Sequence, residues 1–135
     1  MSFQKHNVFI VYNNNDDVTS VLAGTFWLKG FEPFKFTNGK ECLKRFREMD
    51  GNVDAIILNQ EIALDNDLML IVNIKRINPS TKIFVIAEEE LDKTKIYEYG
   101  ADGVALLPLS PIDITDKLLL LISKSQILQR QNDLV

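Results

Sequence analysis

Asp54-Ala55-Ile56-Ile57-Leu58-Asn59 sets an uninterrupted apolar run between two polar residues. A strand with one face in water alternates polar and apolar residues, whereas a run that is apolar throughout fits a strand covered on both faces. The pattern recurs along the chain. Upstream, Val8-Phe9-Ile10-Val11-Tyr12 stops at Asn13-Asn14-Asn15, and the shorter Phe34-Lys35-Phe36 closes at Asn38-Gly39. Downstream, Ile83-Phe84-Val85-Ile86-Ala87 meets Glu88-Glu89-Glu90, and Val104-Ala105-Leu106-Leu107 meets Pro108.

Between these runs the apolar period changes to that of a helix. From Asp16 or Asp17 the spacing puts Val18, Val21, Leu22, Thr25 and Phe26 on one side, and Gly30 marks the end. A charged helix follows, with Cys42, Leu43, Phe46 and Met49 inward and Lys40, Lys44, Arg45 and Arg47 toward water. Leu68 to Ile77 reads as a helix ended by Asn78-Pro79, and a weaker one runs from about Leu91 to Tyr99. Ser110-Pro111, with Asp113 behind it, supplies a cap and first-turn proline for a last helix carrying Ile114, Leu118, Leu121 and Ile122. Five strand–helix units with strands this apolar predict a single doubly wound α/β domain, its parallel sheet covered on both faces.

Composition narrows the chemistry. The chain has 135 residues, 46% of them hydrophobic, with 15 basic against 19 acidic side chains and a net charge of −4. That length suits one self-sufficient domain. A single cysteine, Cys42, excludes an internal disulfide or a cysteine-built zinc site, and His6 alone cannot supply a multi-histidine metal site. A pI near 5.0 without a basic cluster argues against nucleic-acid binding by this domain alone. No apolar run reaches the ~18 residues of a membrane span, and the N-terminus lacks a signal-peptide pattern. The expectation is a cytoplasmic domain with no membrane or nucleic-acid partner.

In doubly wound folds ligands sit at the carboxyl ends of the strands. The residues there are Asn13-Asn14, Asn59, Ala87-Glu88 and Leu107-Pro108, and their order resembles the receiver domain of two-component response regulators, the chemotaxis-regulator-like family. The segment Tyr99-Gly100-Ala101-Asp102-Gly103-Val104, leading to Leu107-Pro108, is the most specific match, similar to the family's G-A-x-G–strand–K-P stretch. The resemblance runs from Asn7 to about Ser123. It implies flavodoxin-like receiver topology over residues 1–123, followed by a helical extension or tail over residues 124–135.

The family's five functional positions are all replaced here. By the resemblance, the acidic pair that holds Mg²⁺ falls on Asn13 and Asn14, and the phospho-acceptor aspartate on Asn59. The Thr/Ser position falls on Ala87, the lysine on Leu107, and Pro108 is a candidate for a cis peptide. An amide is a poor nucleophile and cannot form an acyl phosphate. Neutral amides remove the charge that favours Mg²⁺, and losing the lysine removes a cation from the phosphate. The expectation is a non-enzymatic, degenerate receiver with Mg²⁺ binding lost, acting on a protein partner or output domain.

Each feature also has a plainer reading. Asn13-Asn14-Asn15 reads first as a turn and helix cap, and otherwise as a small-ligand cradle. Asp16, Asp17, Glu61, Asp65 and Asp67 are helix-start and loop carboxylates, or a displaced metal site. Asp54 or Asp65 would be the acceptor of a shifted phosphorylation site. His6 reads as surface, Cys42 as core, and Tyr12 as partial filling of the emptied pocket. Two surfaces stand out. Met69 and Val72 point outward from a helix that needs Leu70, Ile71, Ile74 and Ile77 inward. In the last helix Leu119 or Leu120 must face away from the sheet, so this face, with Val104, is a candidate partner surface or homodimer contact. Leu120, Ile127 and Leu134 continue a heptad spacing, as do Leu121 and Leu128, compatible with pairing or a continuing helix.

Overall fold

The structure, a computed structural model, describes residues 6–13, 16–87, 93–106, 112–120 and 122, with the backbone alone for 16, 17, 66, 67 and 106. In chain order the elements are β1 (His6–Val11), α1 (Asp16–Leu28), β2 (Phe31–Phe36), α2 (Gly39–Glu48) and β3 (Ala55–Asn59). Then come α3 (Gln60–Leu64), a 3₁₀ turn (Asp65–Leu68), α4 (Met69–Ile77), β4 (Lys82–Ala87), α5 (Lys93–Glu98) and β5 (Gly103–Leu106). A last helix, α6, covers residues 112–120. The strands form one parallel sheet in the order β2-β1-β3-β4-β5.

Strand alternation divides the core into two halves. Phe9, Val11, Ile56, Leu58, Ile83 and Val85 face α2, α4 and α5, against Cys42, Phe46, Ile71, Ile74 and Ile96. Their neighbours Val8, Ile10, Ile57, Phe84 and Ile86 face α1 and α6, against Leu22, Phe26, Ile114, Leu118 and Ile122. Both parities are buried, which is why the central strands read as unbroken apolar runs.

The structure corrects several sequence expectations. Strand β2 begins at Phe31, not Phe34, because Phe31 packs edge-on against Phe26 with ring centroids 5.3 Å apart. Pro33 is tolerated because β2 is an edge strand. Val21 is not on the inner stripe of α1. It lies past the edge of the stripe set by Leu22 and Phe26 and is 52% exposed. The expected Leu68–Ile77 helix starts one residue later, and Leu68 is a buried left-handed residue with φ of 65°. A non-glycine residue in that region costs roughly 1–2 kcal/mol, which burial of the leucyl side chain offsets. Ile77, expected inward, is half exposed at the C-terminal end of α4, beyond the last full turn over the sheet. Helix α3, directly after β3, is an element the periodicity did not mark, being too short to show a period.

Cys42 is fully buried, and burial pushes its thiol up to about 12. His6 is more than plain surface. Its Nδ1 lies 3.3 Å from Asp54 Oδ1, and its ring sits 5.5 Å from that of Phe31. Leu107, expected in the last strand, the Ser110-Pro111 cap, Leu121, the Glu88-Glu89-Glu90 cluster and residues 124–135 with their heptad lie outside the described residues.

Candidate functional site

The parallel strands deliver Asn13, Asn59 and Ala87 to one end of the sheet, because each ends or directly follows its strand. Asn59 is the last residue of β3 and 5% exposed, fixed by pairing with Ile86 of β4. Asn13 follows β1, the strand next to β3, which brings the two amides into contact. Asn59 Nδ2 donates to Asn13 Oδ1 at 2.6 Å, and Asn13 Nδ2 in turn donates to Glu61 Oε2.

The direction of this relay follows from its end. A carboxylate only accepts hydrogen bonds, so Asn13 must turn its Nδ2 to Glu61 and its Oδ1 to Asn59. Asn59 must then donate from its own Nδ2. Its Oδ1 is left pointing away, buried and without a hydrogen-bond partner among the described residues. The remaining β4 position, Ala87, is 1% exposed and presents a methyl group.

Asn13 and Asn59 are thus brought together, and Ala87 ends the neighbouring strand β4. Asn14, Leu107 and Pro108 lie outside the described residues. Glu61 is the participant that sequence reasoning assigned to a helix start. It does lie in the first turn of α3, and there it also closes the relay. The signal was its place two residues after the strand-ending Asn59, where a helical turn folds it back over the strand ends.

Asp54 does not join the site. It precedes β3, five residues from Asn59, about 16 Å away along a strand. Its Oδ2 accepts from the Asn7 backbone N–H at 2.8 Å, pinning β1 to β3 at the opposite end. Steric reach therefore removes it as a shifted acceptor. Asp65 lies in the 3₁₀ turn. Among the described residues no three His, Cys, Asp or Glu side chains gather closely enough to hold a metal ion. The side chains of Asp16, Asp17 and Asp67 are outside that description.

Tyr12 packs into the α1/α6 half of the core. A cavity of about 250 Å³ opens beside it between the ends of β1 and β2 and the start of α1, with Thr19, Lys35 and Thr37 in its wall. It does not reach Asn13, Asn59 or Ala87.

The expected partner surface divides. Met69 is 40% exposed and Leu120 56% exposed. Val72 is half-buried, and so are Val104 and Leu119, which pack against the two halves of the core. Sequence reasoning missed the exposed Trp27 and Leu28 at the end of α1.

The fold is that of response-regulator receivers. A CheY-like receiver domain from Methanospirillum hungatei superposes with a TM-score of 0.78 at 13% identity, covering 91% of this chain and 98% of that one. A response regulator from Thermotoga maritima matches at TM-score 0.76 and 20% identity, over 89% of this chain and 99% of its own. The CheX-CheY-BeF3-Mg+2 complex from Borrelia burgdorferi matches at 0.72 and 17%, over 86% and 88%. The sequence matches no protein-family model and no curated protein. Among the described residues no helix is long and apolar enough to cross a membrane.

Proposed function

We propose that this receiver-fold chain is a signalling module that works through protein contacts and is not itself phosphorylated. The observation that carries the reading is the relay Asn59–Asn13–Glu61 at the strand ends. Where the family's chemistry needs an oxygen nucleophile beside a bound cation, this chain has an amide already engaged as a donor. An amide so engaged neither attacks phosphorus nor contributes charge to Mg²⁺. The module is non-enzymatic and without a metal cofactor. It acts in the cytoplasm through a protein partner or an attached output domain, by the α5–β5–α6 face around Val104, Leu119 and Leu120. The CheX-CheY complex is a precedent for protein contact on this fold. Leu120 also makes α6 a candidate homodimer contact.

Incubation with Mg²⁺ and acetyl phosphate, followed by intact-mass measurement, tests the reading. The expected spectrum is unchanged; a stable phospho-adduct overturns it.

A second reading has its own observation. Asn59 Oδ1 is buried without a partner among the described residues, and a ligand N–H or O–H would satisfy it. A small-ligand sensor built there binds only the folded state, so nucleotides or flavins that fit raise the melting temperature. A thermal-shift screen with no shift in the wild-type chain removes this reading.

A further inference from the structure

A second groove lies away from the strand ends. It lies between α2 and α4, with a volume of about 710 Å³. Its floor is apolar, formed by Ile62 of α3 and Leu70 of α4. One wall is the flank of α2, where Leu43 sits between Lys40 and Lys44. The other carries Met69, Asn73 and, from the 3₁₀ turn, Asp65, while Glu41 sits with Asn38 at the α2 start.

Three observations make this more than a crevice. First, Lys40 and Lys44 have no salt-bridge partner among the described residues, although the chain carries a net charge of −4. Arg45, on the other flank of α2, by contrast pairs with Glu48 at 3.2 Å and covers the Phe34 ring. Second, the lysines are four residues apart, which on a helix sets them roughly 6 Å from each other in a row parallel to the axis. Third, Met69 holds an apolar side chain 40% exposed at the rim, beside an apolar floor.

We propose that this groove is the docking site for an amphipathic helix of a partner protein. Its acidic side chains, four apart, meet Lys40 and Lys44. Its apolar stripe enters between Leu43 and Met69, and a basic side chain on its far edge meets Asp65. Helix packing supports a helix over an extended peptide, because two neighbouring helices present a groove into which the ridge of a third fits. The proposal does not depend on the strand-end chemistry, and it names a surface apart from α5–β5–α6.

The test uses the full chain, ¹⁵N-labelled, with synthetic helices of about 18 residues, long enough to be helical. One carries a leucine stripe with glutamates along one edge and a lysine on the other. A second has the charges exchanged, and a third is the first with a central proline. The first is expected to bind, with amide shifts confined to α2, the 3₁₀ turn and α4. The double variant Lys40→Glu, Lys44→Glu weakens it by about tenfold and strengthens the exchanged peptide. Met69→Lys weakens it as well. All three positions are exposed, so the fold tolerates the changes. No binding at millimolar peptide, equal binding of the exchanged or proline-broken peptide, or shifts centred on α5–β5–α6 overturns the proposal. A phospho-adduct in the mass assay would leave it standing.

Discussion

A carboxamide has a donor end and an acceptor end, and a carboxylate accepts only, so one residue, Glu61, orients both strand-end asparagines. An aspartate at position 59 would not simply restore an acceptor. Whichever way Asn13 turned, its Oδ1 would face a carboxylate, either the introduced one or that of Glu61. Asn59→Asp is therefore expected to lower the unfolding free energy by about 1–3 kcal/mol at pH 7, measured by urea denaturation. The loss shrinks as pH falls toward the ordinary carboxylate range near ~4, since burial holds the introduced carboxyl above that range in the fold and its protonated form donates. Adding Glu61→Gln should recover most of the stability, because glutamine can donate to Asn13. Cys42 gives a second residue-scale test. Its thiol is pushed up to about 12 from 9.0 by burial, so the folded state keeps a proton that the unfolded state releases first. The stability it contributes is complete below pH 9 and falls as pH rises from there toward 12. Thiol labelling at pH 8 should be at least about a hundredfold slower in the native chain than in denaturant.

At the scale of elements, α4 is held by more than its apolar face. Lys75 Nζ donates to Thr81 O at 2.8 Å and to Asp102 Oδ2 at 2.7 Å, with both side chains under one quarter exposed. The same Asp102 oxygen accepts from the Ile83 backbone N–H at 2.8 Å, so one carboxylate ties α4, β4 and the approach to β5 together. Gly100 lets the chain pass at φ of 122°, where a Cβ would come within 3.0 Å of Lys75 Cγ. Asp102→Ala leaves a part-buried ammonium and a backbone donor without their acceptor. It is expected to cost about 2–3 kcal/mol and to lower the melting temperature by roughly 5–12 °C, read by thermal denaturation. The Gly100–Asp102 segment was legible as the join between a helix and the last strand. The role of Asp102 was not, since Lys75 lies 27 residues away in sequence.

Across the whole molecule the exposed apolar residues separate interface from core. Leu120→Lys should leave monomer stability within about 0.5 kcal/mol of wild type, because the side chain is already in water. If α6 pairs two copies, light scattering should show a dimer for wild type and a monomer for the variant; identical masses would remove the α6 contact. Local sequence determined the alternation of strands and helices and the parallel, two-faced sheet, since unbroken runs such as Ala55–Leu58 are stable only when covered on both sides. It also determined that the strand ends carry the uncharged side chains Asn13, Asn59 and Ala87. Tertiary structure decided the rest. Val21 faces water and Phe31 joins the sheet because packing partners, not periodicity, fix the edge of a buried stripe. Asp54 and Glu61 are both carboxylates near β3, yet one pins its start and the other closes the relay at its end. The groove between α2 and α4 exists only once the strand order β2-β1-β3-β4 sets the β2–β3 crossover helix beside the β3–β4 one. Period and composition are properties of nearby residues, whereas hydrogen-bond partners and grooves depend on which distant segments the fold brings together.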